Sequence, residues 1–159
     1  NIIERAKDYV YITTPYLILD DAMETSLKNA AKAGVDVRII TPHIPDKKLV
    51  FEATRASYMP LMKAGVKIYE YTPGFVHAKM FVSDDKLATV GTANLDYRSL
   101  FLHFECGALM YRSAAVSSVK ADFLETFEKC HRCSIAEMKR RSPFGKALAF
   151  VMKIIAPLL

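Results

Sequence analysis

Two repeated units near the start of the chain most constrain its fold. In each unit an amphipathic stretch ends at a glycine and runs directly into a valine and an apolar segment of strand length. The first unit covers 20–34 and 35–41, and the second covers 47–65 and 66–71. Helices that alternate with strands are typical of α/β domains, and crossovers of this length join parallel strands. We therefore predict a parallel sheet that begins with YVYITT at 9–14.

The helical crossovers disappear after Val66. Three strand candidates follow at 77–83, 86–91 and 104–111, with only short turns or loops between them. Apolar residues at three- and four-residue spacing then predict a helix over 114–132 that covers one face of the sheet. We expect an α/β domain with a mixed, mostly parallel sheet flanked by helices.

The composition and the ends of the chain limit its class. With 52% hydrophobic and 25% charged residues the chain can bury a core, which excludes disordered and collagen-like classes. The chain starts without an initiator Met, and we interpret it as a fragment of a longer protein. Its three cysteines favour a reducing compartment. The CHRC stretch at 130–133 resembles half of a zinc site, but we interpret it as two small residues one turn apart on a helix.

The last residues form a basic and amphipathic tail, which divides the chain into a domain at 1–133 and a tail at 134–159. A cluster of positive charges at 139–141 precedes a predicted amphipathic helix that starts at Ser142. Lys153 interrupts an apolar segment shorter than the roughly 20 residues that span a bilayer. Two interpretations stay open: the helix lies on an anionic membrane surface, or it docks on protein. The net charge of +5 fits an anionic partner, either nucleic acid or membrane.

One stretch, HAKMFVSDDKLATVGTAN at 77–94, carries groups suited to chemistry. On a strand His77 and Lys79 would share a face, about 7 Å apart. The nearby ammonium disfavours imidazolium, so the ring stays available as a nucleophile or base, and the pair suits an anion.

A hairpin would bring more polar groups to the same place. If the strands pair through the turn at 84–86, Thr92 and Asn94 return beside His77 and Lys79. These four groups suit a phosphate, and the histidine among them can react with it. Glu105 enters an otherwise apolar run, and we expect it to hold the second nitrogen of His77.

These residues resemble a known motif. HAKMFVSD matches HxKxxxxD, and six residues later GTAN matches G[ST]xN, the extended HKD motif of the phospholipase D superfamily. The flanks at 53–79 and 91–105, together with ITTPYL at 12–17, are similar to the C-terminal catalytic half of bacterial cardiolipin synthases. The resemblance covers essentially the whole chain.

The resemblance implies a role for each motif residue. Each HKD segment supplies half of one active site, in which one histidine attacks phosphorus and the other acts as general acid and base. His77 would be one of the two, and we expect the acid and base role, with the nucleophile as the open alternative. Lys79 and Asn94 would hold the phosphate oxygens, and Glu105 would orient His77. Asp84 belongs to the motif, but odd spacing puts it on the opposite face, so we expect a structural role.

The resemblance extends to the substrate cleft and implies no metal and no cofactor. Thr92 stands where serine is common in the motif. Beyond the motif's Lys and Asn, the candidate phosphate-binding or substrate-binding residues are Thr92, Arg55 and Tyr58. Tyr16 and Arg98 match the pattern around the headgroup cleft.

The implied reaction is phosphatidyl transfer, in which two phosphatidylglycerols give cardiolipin and glycerol. The implied partners are phosphatidylglycerol, an anionic membrane surface and a second HKD half, in the same full-length chain or in a homodimer. We expect an isolated half to be inactive, located at the cytoplasmic side of a bacterial membrane and without a nucleic acid partner. Phosphatidylethanolamine stays open as the acceptor. The alternatives are a homodimeric HKD phosphodiesterase or nuclease, and an inactive membrane-binding module.

Overall fold

A computed structural model describes residues 1–140 together with Leu148 and Val151. The helices are α1 (Ile2–Arg5), α2 (Asp21–Lys32), α3 (Lys48–Ala56), α4 (Tyr58–Lys63), α5 (Ala114–Glu128) and α6 (Ile135–Arg140), and a π-turn spans Arg98–Leu102. The strands are β1 (Tyr9–Thr13), β2 (Asp36–Pro42), β3 (Lys67–Tyr71), β4 (Met80–Ser83), β5 (Leu87–Gly91), β6 (Gly107–Tyr111) and β7 (Cys130–Arg132).

The seven strands form one mixed sheet in the order β6-β5-β4-β1-β2-β3-β7. The pairs β1–β2 and β2–β3 are parallel, and the other four pairs are antiparallel. The α/β class and the mixed sheet flanked by helices are confirmed, but the expectation of a mostly parallel sheet is wrong. β4 and β5 are joined by a short turn and pair antiparallel, and β5 also pairs antiparallel with β6, so these three strands form an antiparallel meander.

Helices cover both faces of the sheet. On one face Leu27 of α2 and Leu61 of α4 are fully buried against the sheet, and each contributes roughly 1.5–3 kcal/mol by its burial. On the other face Phe123 and Phe127 of α5 pack on Tyr11 of β1. The spacing that predicted α5 thus reflects its buried face.

Two helix boundaries differ from the prediction. The helix predicted over 47–65 is divided at Ser57, and Pro60 lies in the first turn of α4, where its missing N–H is tolerated. The helix predicted to reach 132 ends at Glu128, because the next residues pair with β3 as β7. Placing the CHRC cysteines on a helix is therefore wrong, and no three His, Cys, Asp or Glu side chains among the described residues form a possible metal site.

The predicted tail helix from Ser142 lies outside the described residues, except for Leu148 and Val151. Leu148 is partly buried and packs against the small cluster of Ile18 and Ala53. Within the part of the chain that the structure covers, no helix has the length and apolar character to cross a bilayer.

Candidate active site

The candidate residues gather at one edge of the sheet. β4 starts at Met80, which pairs with Thr13 at the end of β1 and with Val90 near the end of β5. His77 and Lys79 precede β4 instead of lying on it, which corrects the strand predicted from residue 77. They therefore lie at the edge where the parallel strands end.

The predicted hairpin between β4 and β5 is confirmed, and its turn anchors the N-terminal segment. Asp84 and Asp85 have φ of 53° and 55°. The Asp84 carboxylate accepts hydrogen bonds of 2.9–3.0 Å from the backbone N–H groups of Lys7, Asp8 and Tyr9. Burial raises the pKa of Asp84, but these three donors outweigh it and hold the pKa below the usual 3.8. Through these contacts Asp84 fixes the start of β1 at the opposite end of β4 from His77.

The His77 ring is exposed, and its ring contact is with Phe75, at 5.5 Å between centroids. Lys79 is half-buried, and its Nζ donates a 2.8 Å hydrogen bond to the His77 carbonyl. Burial lowers the pKa of Lys79 below 10.5, and Glu105 and Asp96 oppose that effect. A partly desolvated ammonium beside an exposed imidazole suits an anionic ligand, which supplies the missing counter-charge.

A close approach of β5 and β6 sets the position of Glu105. A Cβ on Gly91 would lie 2.7 Å from the Cys106 carbonyl oxygen, so only glycine fits here. Just beyond it, the Thr92 hydroxyl donates to Glu105 Oε2 and accepts the Cys106 N–H at 2.9 Å. The hydrogen bond from Thr92 lowers the pKa of Glu105 below 4.5. Among the described residues no hydrogen bond joins Glu105 to the His77 ring, so the orienting role of Glu105 stays a prediction.

Candidate residues line two separate cavities. Lys79 and Glu105 line one of about 310 Å³. Asn94 lines the other, of about 450 Å³, whose further polar lining is Tyr16, Lys47, Asp96, Arg98, Ser99 and His103. The Asn94 Oδ1 is buried and has no hydrogen-bond partner within the described part of the chain. Sequence reasoning missed Asp96 and His103, although both flank the matched motif at short distance.

Tyr16 reaches the larger cavity, and its hydroxyl donates a 2.5 Å hydrogen bond to Asp46. Burial and the neighbouring carboxylate raise the pKa of Tyr16 to about 12. Tyr16 therefore remains a neutral hydrogen-bonding group at physiological pH.

Tyr58 is fully buried, and its hydroxyl lies 2.6 Å from the Thr41 hydroxyl. The prediction that Tyr58 contacts the substrate is therefore wrong, because the side chain has no exposed surface. Arg55 points to the buried Glu70 carboxylate, with Nη2 at 3.0 Å from Oε1. His43 Nδ1 lies 2.7 Å from the other oxygen of Glu70. The binding of substrate by Arg55 stays a prediction.

An exposed apolar surface adjoins the site. Its side chains, which we call the β6 patch, belong to β6 and to the segment before it: Phe101, Leu102, Phe104, Leu109 and Tyr111. Phe104 is fully exposed, and Leu109 is 66% exposed. Exposed apolar side chains of this kind often mark places where another protein, a membrane or a ligand binds.

A family model described as cardiolipin synthase, PLD-like domain, matches residues 1–127. The chain is 52% identical over 159 residues to an uncharacterized protein of Streptococcus mutans, covering 100% of the chain and 34% of that protein. It is 39% identical over 159 residues to the cardiolipin synthase of Halalkalibacterium halodurans, covering 100% of the chain and 32% of that enzyme. The chain thus spans about a third of the length of the curated relatives it matches.

The fold has a solved counterpart. The phosphatidylserine synthase of Haemophilus influenzae superposes with a TM-score of 0.80 at 14% identity, over 99% of this chain and 43% of that chain. At such low identity the likeness concerns the fold alone.

Proposed function

The chain belongs to the family of cardiolipin synthase, PLD-like domains, and from this premise we propose that it supplies one half of the active site of a phosphatidyltransferase in phospholipid biosynthesis. The observation that carries the proposal is that Lys79 and Glu105 line one cavity and Asn94 lines another, while the exposed His77 precedes β4 two residues before Lys79. The proposed reaction joins two phosphatidylglycerols into cardiolipin and releases one glycerol.

The transfer proceeds in two balanced steps. A histidine of the second HKD half attacks the phosphorus of one phosphatidylglycerol, the bond from phosphorus to the glycerol oxygen breaks, and His77 gives that oxygen its proton. A hydroxyl of the second phosphatidylglycerol then loses its proton to His77 and attacks the phosphohistidine, and the phosphorus–nitrogen bond breaks. The Lys79 ammonium and the Asn94 amide nitrogen face the two non-bridging oxygens and stabilise their charge. The cavity walls shelter the intermediate from water, which would otherwise hydrolyse it.

Three observations support the assignment of half a site. The His77 ring is exposed instead of being enclosed by the chain's own residues. The β6 patch lies beside it without a cover among the described residues. The chain also spans only about a third of its relatives. In the proposal the second HKD half covers the β6 patch and brings the second histidine to His77.

The proposal includes a place in the cell and a division of the chain. Because the proposed substrate is a lipid, the catalytic domain at 1–133 works at a bacterial membrane surface, and the proposal places it on the cytoplasmic side. The tail at 134–159 adds a basic segment that suits anionic lipid.

The test uses the full-length protein that contains this chain, in phosphatidylglycerol vesicles. His77→Gln should lower cardiolipin formation by about 10²–10⁴-fold, the range that a positioned acid and base contributes. His131→Gln is the matched control. His131 lies on β7, the outermost strand on the side of the sheet away from β4 and β5, and it pairs with Glu137 at 3.1 Å. This control should leave cardiolipin formation at the wild-type rate.

The same assay separates the rival functions. The 159-residue chain alone should form no cardiolipin, and robust turnover by the monomer would contradict the assignment of half a site. Cleavage of single-stranded DNA by the chain alone, lost in His77→Gln, would support a homodimeric phosphodiesterase instead.

A further inference from the structure

The π-turn Arg98–Leu102 fixes one ring nitrogen of His103. Its last hydrogen bond runs from the His103 N–H to the Arg98 carbonyl at 2.8 Å, five residues back along the chain. In an α-helix two residues five apart point about 140° away from each other. A π-turn has more residues per turn and brings them closer to one side. Accordingly, Arg98 Nε donates a hydrogen bond of 3.3 Å to His103 Nε2.

This hydrogen bond determines where the His103 ring carries its proton. The Arg98 guanidinium offers only donors and keeps its charge at physiological pH. His103 Nε2 therefore accepts with its lone pair, and the proton of the neutral ring resides on Nδ1. Toward any other neighbour, the ring is thus an N–H donor through Nδ1.

The donor nitrogen of His103 lies on the side of Glu105. The backbone of His103 is extended, with φ of −96° and ψ of 153°, so the side chains of His103 and Glu105 leave the chain on the same side. His103 Nδ1 lies 4.0 Å from Glu105 Oε1. This separation is about 1 Å longer than a hydrogen bond. Hydrogen bonds in active sites are often this long before substrate binds, and they shorten in the complex.

The Glu105 carboxylate has a neighbour for each of its oxygens. The Thr92 hydroxyl donates to Oε2, and Oε1 is on the side of His103. The Glu105 side chain is only 20% exposed, and it lines the same cavity as Lys79. A carboxylate that is held at both oxygens keeps one orientation, and groups fixed before the reaction starts lower its barrier.

We propose that His103 is a positioning residue of this site, whose Nδ1–H closes onto Glu105 Oε1 and holds the carboxylate toward the ring of His77. Arg98 supports it by fixing the tautomer of His103. This inference rests on the proposed function, in which Glu105 orients His77 during the transfer. His103 acts through Glu105 and needs no contact with the reacting phosphate.

The first test measures kcat and KM of the full-length protein in phosphatidylglycerol vesicles. His103→Leu should lower kcat by up to about 10²-fold, the cost of displacing a group at the reacting centre by roughly 1 Å, and should leave KM unchanged. His103→Asn should restore most of kcat, because its amide N–H can take the place of Nδ1–H. An unchanged kcat in His103→Leu, or no recovery in His103→Asn, would overturn the proposal.

The matched control is His131→Leu on β7. The side chains of His103 and His131 are 47% and 48% exposed, and His131 also has a glutamate beside it, Glu137 at 3.1 Å. Neither substitution opens a cavity in the core, and His131→Leu should keep the kcat of the wild type. A raised KM at unchanged kcat in His103→Leu would assign His103 to substrate contact and contradict the positioning role.

The second test determines whether His103 acts through Glu105. In the Glu105→Gln background, His103→Leu should cause little further loss of kcat, because residues that act as a unit are not additive. Two losses that multiply would mean that His103 contributes independently, and the proposal would be wrong.

A soluble phosphodiester separates this inference from the proposed function. Hydrolysis of bis(p-nitrophenyl) phosphate is measured beside cardiolipin formation in the same variants. If hydrolysis depends on His103 through Glu105 but phosphatidylglycerol gives no cardiolipin, phosphatidyl transfer is contradicted and the role of His103 stands. If cardiolipin forms with the same kcat in the wild type and in His103→Leu, the role of His103 is overturned and the proposed function stands.

Discussion

Replacing Arg55 with methionine removes the partner of a buried charge. The Glu70 side chain is only 2% exposed, and the Arg55 guanidinium contacts both of its oxygens at 3.0–3.1 Å. Methionine preserves much of the arginine stem, while the change removes both the ion pair and the contact of the guanidinium carbon with the Phe51 ring at 4.3 Å. The prediction is a loss of stability through the broken ion pair.

The magnitude follows from the burial of Glu70. Removing one partner of a buried ion pair costs about 3–5 kcal/mol, because the other charge stays in a poor solvent. His43 remains 2.7 Å from Glu70, so the lower end of about 3 kcal/mol applies. A domain of this size loses roughly 2–4 °C in Tm for each kcal/mol, so we expect Tm to fall by roughly 6–12 °C.

The assay is urea unfolding of Arg55→Met, Glu70→Gln and the double variant. The double variant should recover more than half of the stability that Arg55→Met loses, because it no longer buries a lone carboxylate. A cost below about 1 kcal/mol for Arg55→Met, or a double variant as unstable as the two single losses added, would refute the reasoning. Intact stability with a raised KM would instead support the predicted contact of Arg55 with the substrate.

Two further changes test other contacts. Asp84→Asn should lower the free energy of unfolding at neutral pH by removing the charged acceptor of three N–H groups. Because the folded pKa of Asp84 lies below 3.8, its contribution is fully present above that pH and disappears as the pH falls through the lowered value, so wild type and variant should converge in acid. Tyr58→Phe should cost about 1 kcal/mol of unfolding free energy through the lost bond to Thr41, with KM unchanged. A raised KM at unchanged stability would mean that Tyr58 reaches the substrate.

Local pattern was enough to predict much of the fold and the hairpin that carries the motif. β2 and β3 lie where the alternation of apolar residues predicted them. Each strand follows a helix that is ended by a glycine, Gly34 or Gly65. The turn at Asp84 and Asp85 pairs β4 with β5, so the residues on both sides of the hairpin gather at one edge.

Long-range contacts account for what the sequence did not predict. Glu70 occupies an inward-facing position of β3, the segment KIYEY. Its burial is explained by its contacts with Arg55 and His43, which the local sequence pattern does not reveal. In the sequence Tyr58 looks like a surface residue of an amphipathic helix, but in the structure it is fully buried. β7 is three residues long, and its pairing with β3 gives no periodic signal in the sequence.

The β6 patch has a consequence for handling the chain. β6 is the last strand on its side of the sheet, with no described strand on its outer side, and it also presents Leu109 and Tyr111 to solvent. A strand edge that is both unpaired and apolar templates edge-to-edge aggregation. When the chain is produced alone, precipitation at β6 would limit its yield before any loss of internal stability. The side chains proposed to meet a second half are the same ones that we expect to promote aggregation without one.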